Sequence, residues 1–157
     1  MNTLLTQIAV HLDTLEFKYE VIEKDDVVIF QYSGDNIDTD IVVQVHEEHS
    51  VVFMTSFPVK IPETAFADIY QLANEINENF VLSTVSLNTE NRRLSSRSVL
   101  YVKDRELQIE EFSLFIASTV AIIDLNVEDI VEIAFKKDMS PLDSFIIDSN
   151  SGKGVIN

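Results

Sequence analysis

The stretch from residue 109 to 134 constrains this chain more than any other. Ile109, Phe112, Ile116, Val120, Ile123, Val127, Ile130 and Ala134 recur at spacings of three and four with one extra four-residue step, the period of an α-helix. Phe115, Ile122 and Ile133 lie on a second side of that helix, and Leu114, Ala121 and Leu125 on a third. A sheet covers one stripe of a helix, so the remaining apolar area needs another partner. Hiding three further large side chains is worth about 5–9 kcal/mol, at about 1.5–3 kcal/mol each. The first expectation is a subunit interface made of Leu114, Phe115, Ala121, Ile122, Leu125 and Ile133, and hence a homodimer. Two alternatives stay open. The tail could fold back with Leu142, Phe145, Ile146 and Ile147, or the β-branched run 113–123 could be a buried strand.

The rest of the chain reads as α+β. Leu4, Leu5, Ile8, Leu12 and Leu15 fall on one face of a helix over residues 2–15, with Asn2 or Thr3 to cap it. Runs rich in β-branched and aromatic residues follow at 18–23, 27–32, 41–46 and 51–57, joined by short polar turns, which implies an antiparallel meander. A helix started by Pro62 carries Ala65, Phe66, Ile69, Leu72, Ala73 and Ile76 on one arc and ends near Asn77 or Asn79. Strands over 80–87 and 94–103 then form a hairpin before the long C-terminal helix. A single domain over 1–137 is expected, with a tail over 138–157 that is in part disordered.

At 157 residues and 46% hydrophobic content, this one domain builds its core without staples. The absence of cysteine removes disulfides, thiol catalysis and Cys-based zinc sites. The first 15 residues lack the basic flank of a signal peptide, and no run reaches the roughly 18 apolar residues of a membrane span, so a cytoplasmic protein is expected. Charge is the most extreme bulk property: 27 acids against 11 bases give −16. Such a surface repels phosphate backbones and anionic membranes, so neither nucleic acid nor membrane is expected as a partner.

No motif in the sequence points to catalysis. His46 and His49 are three apart at a strand end, where the zinc-protease pattern needs two histidines four apart on a helix. The acids of 35–40 put Ile37 or Val42 where a calcium loop needs ligands. Only Gly34 occurs before residue 150, too few glycines for a phosphate cradle. No catalytic residue, cofactor site or metal site is nominated. One asymmetry remains. All four arginines fall within 92–105, and Arg97 shares a strand face with Val99 and Tyr101. Arg92, Arg93 and Arg97 are thus a candidate patch for an acidic partner segment, against ordinary pairing within the chain.

The element order, together with Ile61-Pro62-Glu63, Leu72-Ala73-Asn74-Glu75-Ile76-Asn77, Phe80-Val81-Leu82 and Val99-Leu100-Tyr101-Val102, resembles the YbjN domain family over about residues 1–137. That family's fold is similar to type III secretion chaperones. The resemblance implies a small acidic cytosolic protein that dimerises and holds partner segments along sheet and helix surfaces, and YbjN-like proteins are described as sensory or stress regulators. It supplies no site residues. The reading is a non-enzymatic protein-binding module, chaperone-like or regulatory, acting through apolar helix and sheet surfaces. The alternatives are an immunity-type or structural protein that neutralises a basic partner and, third, a metal-dependent hydrolase.

Overall fold

Alternation of side chains along the strands decides which residues can meet a helix layer. In the computed structural model, which describes residues 1–136 and 140–142, six strands form one sheet. They are β1 (Tyr19–Ile22), β2 (Val27–Ser33), β3 (Asp38–His46), β4 (Ser50–Ser56), β5 (Thr84–Asn88) and β6 (Arg93–Tyr101). Their order is β1-β2-β3-β4-β6-β5, antiparallel throughout. The first four are the predicted meander and the last two the predicted hairpin. The helices are α1 (Thr3–Thr14), α2 (Phe66–Glu78), α3 (Ile109–Asp124) and α4 (Val127–Phe135). The α+β class holds. Helix α1 starts where Asn2 accepts a hydrogen bond from the Leu5 amide at 2.7 Å, and α2 ends at the Asn79 cap.

Every helix lies on the same side of the sheet. Register places Phe30 beside Ile41, Val43 beside Phe53 and Val51 beside Leu100, all inward. Against them pack Leu4, Leu5, Ile8 and Leu12 of α1 and Phe112, Ile116 and Val120 of α3, making an upper core. A lower core joins Ile69, Leu72, Ala73 and Ile76 of α2 to Val127, Ile130, Val131, Ala134 and Phe135 of α4, over Val85, Leu87 and Leu94. A seam of hydroxyls runs between the two. Thr39 bonds Thr55, Ser98 bonds the Thr119 hydroxyl, and Ser96 donates to the Thr119 carbonyl. Among the described residues no buried side-chain nitrogen or oxygen lacks a partner, so the seam does not destabilise the core by unmet polarity.

The long C-terminal helix is divided, and this corrects the expectation of one continuous rod over 109–134. Helix α3 ends at Asp124, whose buried carboxylate accepts from three backbone amides of the β2–β3 turn: Asp35 at 3.0 Å, Asn36 at 2.9 Å and Ile37 at 2.9 Å. Gly34 permits this approach, because a Cβ there would lie 2.4 Å from Asp124 Oδ1. Asn126 then donates from its side chain to the Ile122 carbonyl at 2.7 Å, closing the helix end. The re-aimed α4 turns its apolar stripe onto α2. Two helices with separate orientations cover more of their apolar circumference within the chain than one straight helix could. Leu142, beyond α4, also sits in the lower core. Phe145, Ile146 and Ile147 lie outside the described residues, as does nearly all of the segment 138–157 expected as a tail.

Candidate functional site

The six helix positions singled out as a subunit surface separate in the structure. Ile122 is wholly buried in the chain's own core, so its place on an interface is corrected: it packs in the lower core with Ile123, Val127 and Ile130. Phe115 packs against Phe53, ring centroids 5.7 Å apart, and Ile133 packs against the lower core. Ala121 is half-buried. Only Leu114 and Leu125 stand in solvent, at 54% and 65% exposed. The arginines separate as well. Arg92 lines a cleft with Val59, Lys60 and Asp68. Arg93 is pinned, donating to the Pro58 carbonyl at 2.9 Å and more weakly to that of Phe57. Among the described residues Arg97 has no side-chain hydrogen bond or ion pair, and it shares a shallow basin with Arg93 but not with Arg92.

An apolar surface lies on the sheet face that none of the described helices covers. Opposite in parity to the core residues, the pairs Ile29–Val42, Val42–Met54 and Val52–Val99 run across β2, β3, β4 and β6. Ile22, Val27 and Tyr101 lie toward one end of that face, with Gln44, His46 and Ser50 between Val27 and Tyr101. Val99 is 48% and Tyr101 62% exposed, whereas Val52 at the middle is already 7% exposed because its neighbours on the same face crowd it. The other end of the face is polar, with Gln31, Asp38, Asp40, Ser56, Ser95 and Arg97 around the basin. Sequence reading placed Arg97 with Val99 and Tyr101 but missed the β2–β4 contribution. The signal was present: Val27 to Phe30, Ile41 to Val43 and Val51 to Met54 are apolar at both parities, which a sheet covered on one side does not need.

The sheet's edges are less available than its face. At β5 the Asn77 side chain of α2 accepts from the Val85 amide at 2.7 Å and donates to the Val85 carbonyl at 3.0 Å. That amide imitates a neighbouring strand and occupies the groups an added strand would use. At the opposite edge β1 is only four residues long.

Titration and metal chemistry find little footing. The Arg105 guanidinium grips the Glu111 carboxylate with two bonds, at 2.6 and 3.0 Å, and the Gln108 amide adds a third at 2.8 Å. These contacts, Arg105 foremost, hold the Glu111 carboxyl below its ordinary range, and they belong to the start of α3. His11 bonds the Leu107 carbonyl at 2.6 Å, while His46 and His49 are exposed at the β3–β4 turn. Among the described residues no three of His, Cys, Asp and Glu gather as metal ligands, and no helix is long and apolar enough to cross a membrane.

Comparison with known proteins agrees with this architecture. The family model described as "YbjN: Putative bacterial sensory transduction regulator" matches residues 4–132. A crystal structure described as "YbjN, a putative transcription regulator from E. coli" superposes with a TM-score of 0.58 at 14% identity, covering 77% of this chain and 86% of that one. At that identity the likeness shows the fold alone. No curated protein matches the sequence.

Proposed function

We propose that this chain, which belongs to the YbjN family, is a cytoplasmic regulatory or chaperone-like module without enzymatic activity that acts by binding protein on the helix-free face of its sheet. The observation that carries the reading is that face itself: an apolar patch from Ile29 to Val99, ending in the exposed Tyr101, on a sheet whose β5 edge is blocked. The charge supports contact with protein over contact with nucleic acid. A chain at −16 repels phosphates, so a regulator of this kind acts through another protein and not by gripping DNA itself. The protein partner sets aside the chain's polar end or fills it, depending on whether it brings charge to Arg97, Asp38 and Asp40.

A second reading, neutralisation of a basic partner, draws on the exposed acids Glu128, Asp129 and Glu132 of α4, and it predicts binding that weakens steeply with salt. A photo-crosslinking residue tests the two together. Placed at Tyr101 in cells making the protein, it should give a protein adduct, and placed at Glu128 it should give none. Adducts at 128 alone would favour the second reading, and no adduct at 101 would remove the first.

A further inference from the structure

We infer that the cleft between the segment leading into α2 and the end of α4 is a site for a small organic phosphate, a monoester with a short aliphatic body. It lies apart from the open sheet face and its polar basin, with which it shares no residue, and it goes beyond the binding role proposed there.

The first argument is charge. The cleft, about 340 Å³, is lined by three cations, Lys60, Arg92 and Lys136, against one acid, Asp68, a net +2. Three of its eleven lining residues are bases, against 11 of 157 in a chain whose net charge is −16. Three other clefts of the described surface carry two charges of each sign, or one base against two acids. The reversal of sign belongs to this cleft.

The second argument is how those cations are held. The Ile61 amide donates to the Arg92 carbonyl at 2.8 Å and the Phe57 amide to that of Leu94 at 2.8 Å, so the segment 57–61 is tied alongside residues 92–94. Arg93, bonded to the Pro58 carbonyl, braces the same segment. Lys60 and Arg92 thus stand on two stretches of backbone joined to each other, and Lys136 reaches the same cleft from the end of α4. Their charged heads are available. Among the described residues neither the Lys60 nor the Arg92 side chain has a hydrogen bond or ion pair, and Lys136 meets Asp68 at 3.2 Å with both groups more than half exposed.

The third argument is the match to a ligand. A phosphate monoester carries about −1.5 to −2 at neutral pH and three strong acceptor oxygens, which suits three cationic heads and the Thr64 hydroxyl. The Arg92 fork can take two of those oxygens, where a single carboxylate would leave the lysines without a partner. Val59, Pro62, Ile133 and Ala134 supply a short apolar wall for the body of the molecule. Among the described residues no aromatic ring lines the cleft, so a nucleobase finds nothing to stack on. The volume lies near the lower end of the roughly 300–1,000 Å³ of ligand pockets. A compact dianion there meets the local charge, while the acidic surface beyond it still turns a long polyanion away.

Titration calorimetry on the full chain with n-butyl phosphate tests the site. One equivalent should bind per chain, with saturation below about 1 mM. Lys60→Ala and Arg92→Ala should each weaken binding about tenfold, and Arg92→Lys, which keeps the charge and loses the fork, by less. Asp68→Asn removes the one acid of the cleft and should tighten binding several-fold. Arg97→Ala, which deletes a cation outside the cleft, should change nothing. Each variant is compared at matched far-UV circular dichroism, so that a lost fold is not taken for a lost site. Absence of saturable binding overturns the inference. An equal loss in Arg97→Ala overturns it too, since that marks diffuse attraction to any cation. Inorganic phosphate or succinate bound as tightly as butyl phosphate overturns the ligand class. Crosslinking at Tyr101 is read independently, so failure here leaves the binding role of the sheet face standing.

Discussion

On β4, Phe53 and Met54 are adjacent in sequence and opposite in surroundings. Phe53 points inward, wholly buried, with Phe112 and Phe115 at ring distances of 5.6 and 5.7 Å. Met54 points outward onto a face that none of the described helices covers, between Val42 and Arg97. The inward face is finished: two cores, a hydroxyl seam and, among the described residues, every buried polar side-chain atom paired. The outward face is composed like an interior at its centre and left open. The difference teaches that apolar residues serve two ends in this chain, folding on one side and association on the other. Stability and binding should therefore respond to different substitutions.

The largest separation is expected between those two neighbours. Phe53→Ala should cost about 3–5 kcal/mol in chemical denaturation, while Met54→Ala, half-exposed in the isolated chain, should cost about 1 kcal/mol or less. Equal losses would erase the distinction between the faces. Next, Asp124→Ala leaves three turn amides without their carboxylate and should cost about 2–4 kcal/mol. Gly34→Ala, which forces a Cβ against the same carboxylate, should cost about 1–3 kcal/mol.

A smaller effect sharpens the inner side. Glu111→Gln weakens the start of α3 and should cost about 0.5–1 kcal/mol near neutral pH. The Glu111 carboxyl titrates lower in the folded chain than in the unfolded one, so its contribution is complete above the unfolded value. It fades as pH falls through the folded value, and the gap between wild type and variant in pH-dependent denaturation should close on the acid side. The smallest change in stability belongs to the open face. Val99→Ser with Tyr101→Ser should stay within about 0.5 kcal/mol per site while association is lost.

Much of the fold was legible because the local signals were strong. Four meander strands, the hairpin, the Asn2 cap and the α2 arc could all be read from period and turn chemistry. Two things were not. The break at Asp124 depends on a turn some 90 positions earlier, and a periodic apolar run conceals it; Asp124 and Asn126, near the end of the run from Phe112 to Val127, were the local traces. The site was displaced for a related reason. Surplus apolar surface was counted on the helix, where the bend absorbs most of it, and not on the strands. There Val42, Val52 and Met54 continued an apolar run past the parity that the core needs.

Two tyrosines offer the most direct test of an occupied open face. Tyr101 on that face is 62% exposed in the isolated chain, and Tyr70 on α2 is 49% exposed, so a bare molecule would oxidise both to similar extents. Hydroxyl-radical footprinting in intact cells should label Tyr101 several-fold less than Tyr70, with the protection lost in the Val99→Asp protein. Labelling of Tyr101 in cells at least as strong as that of Tyr70 would contradict the account.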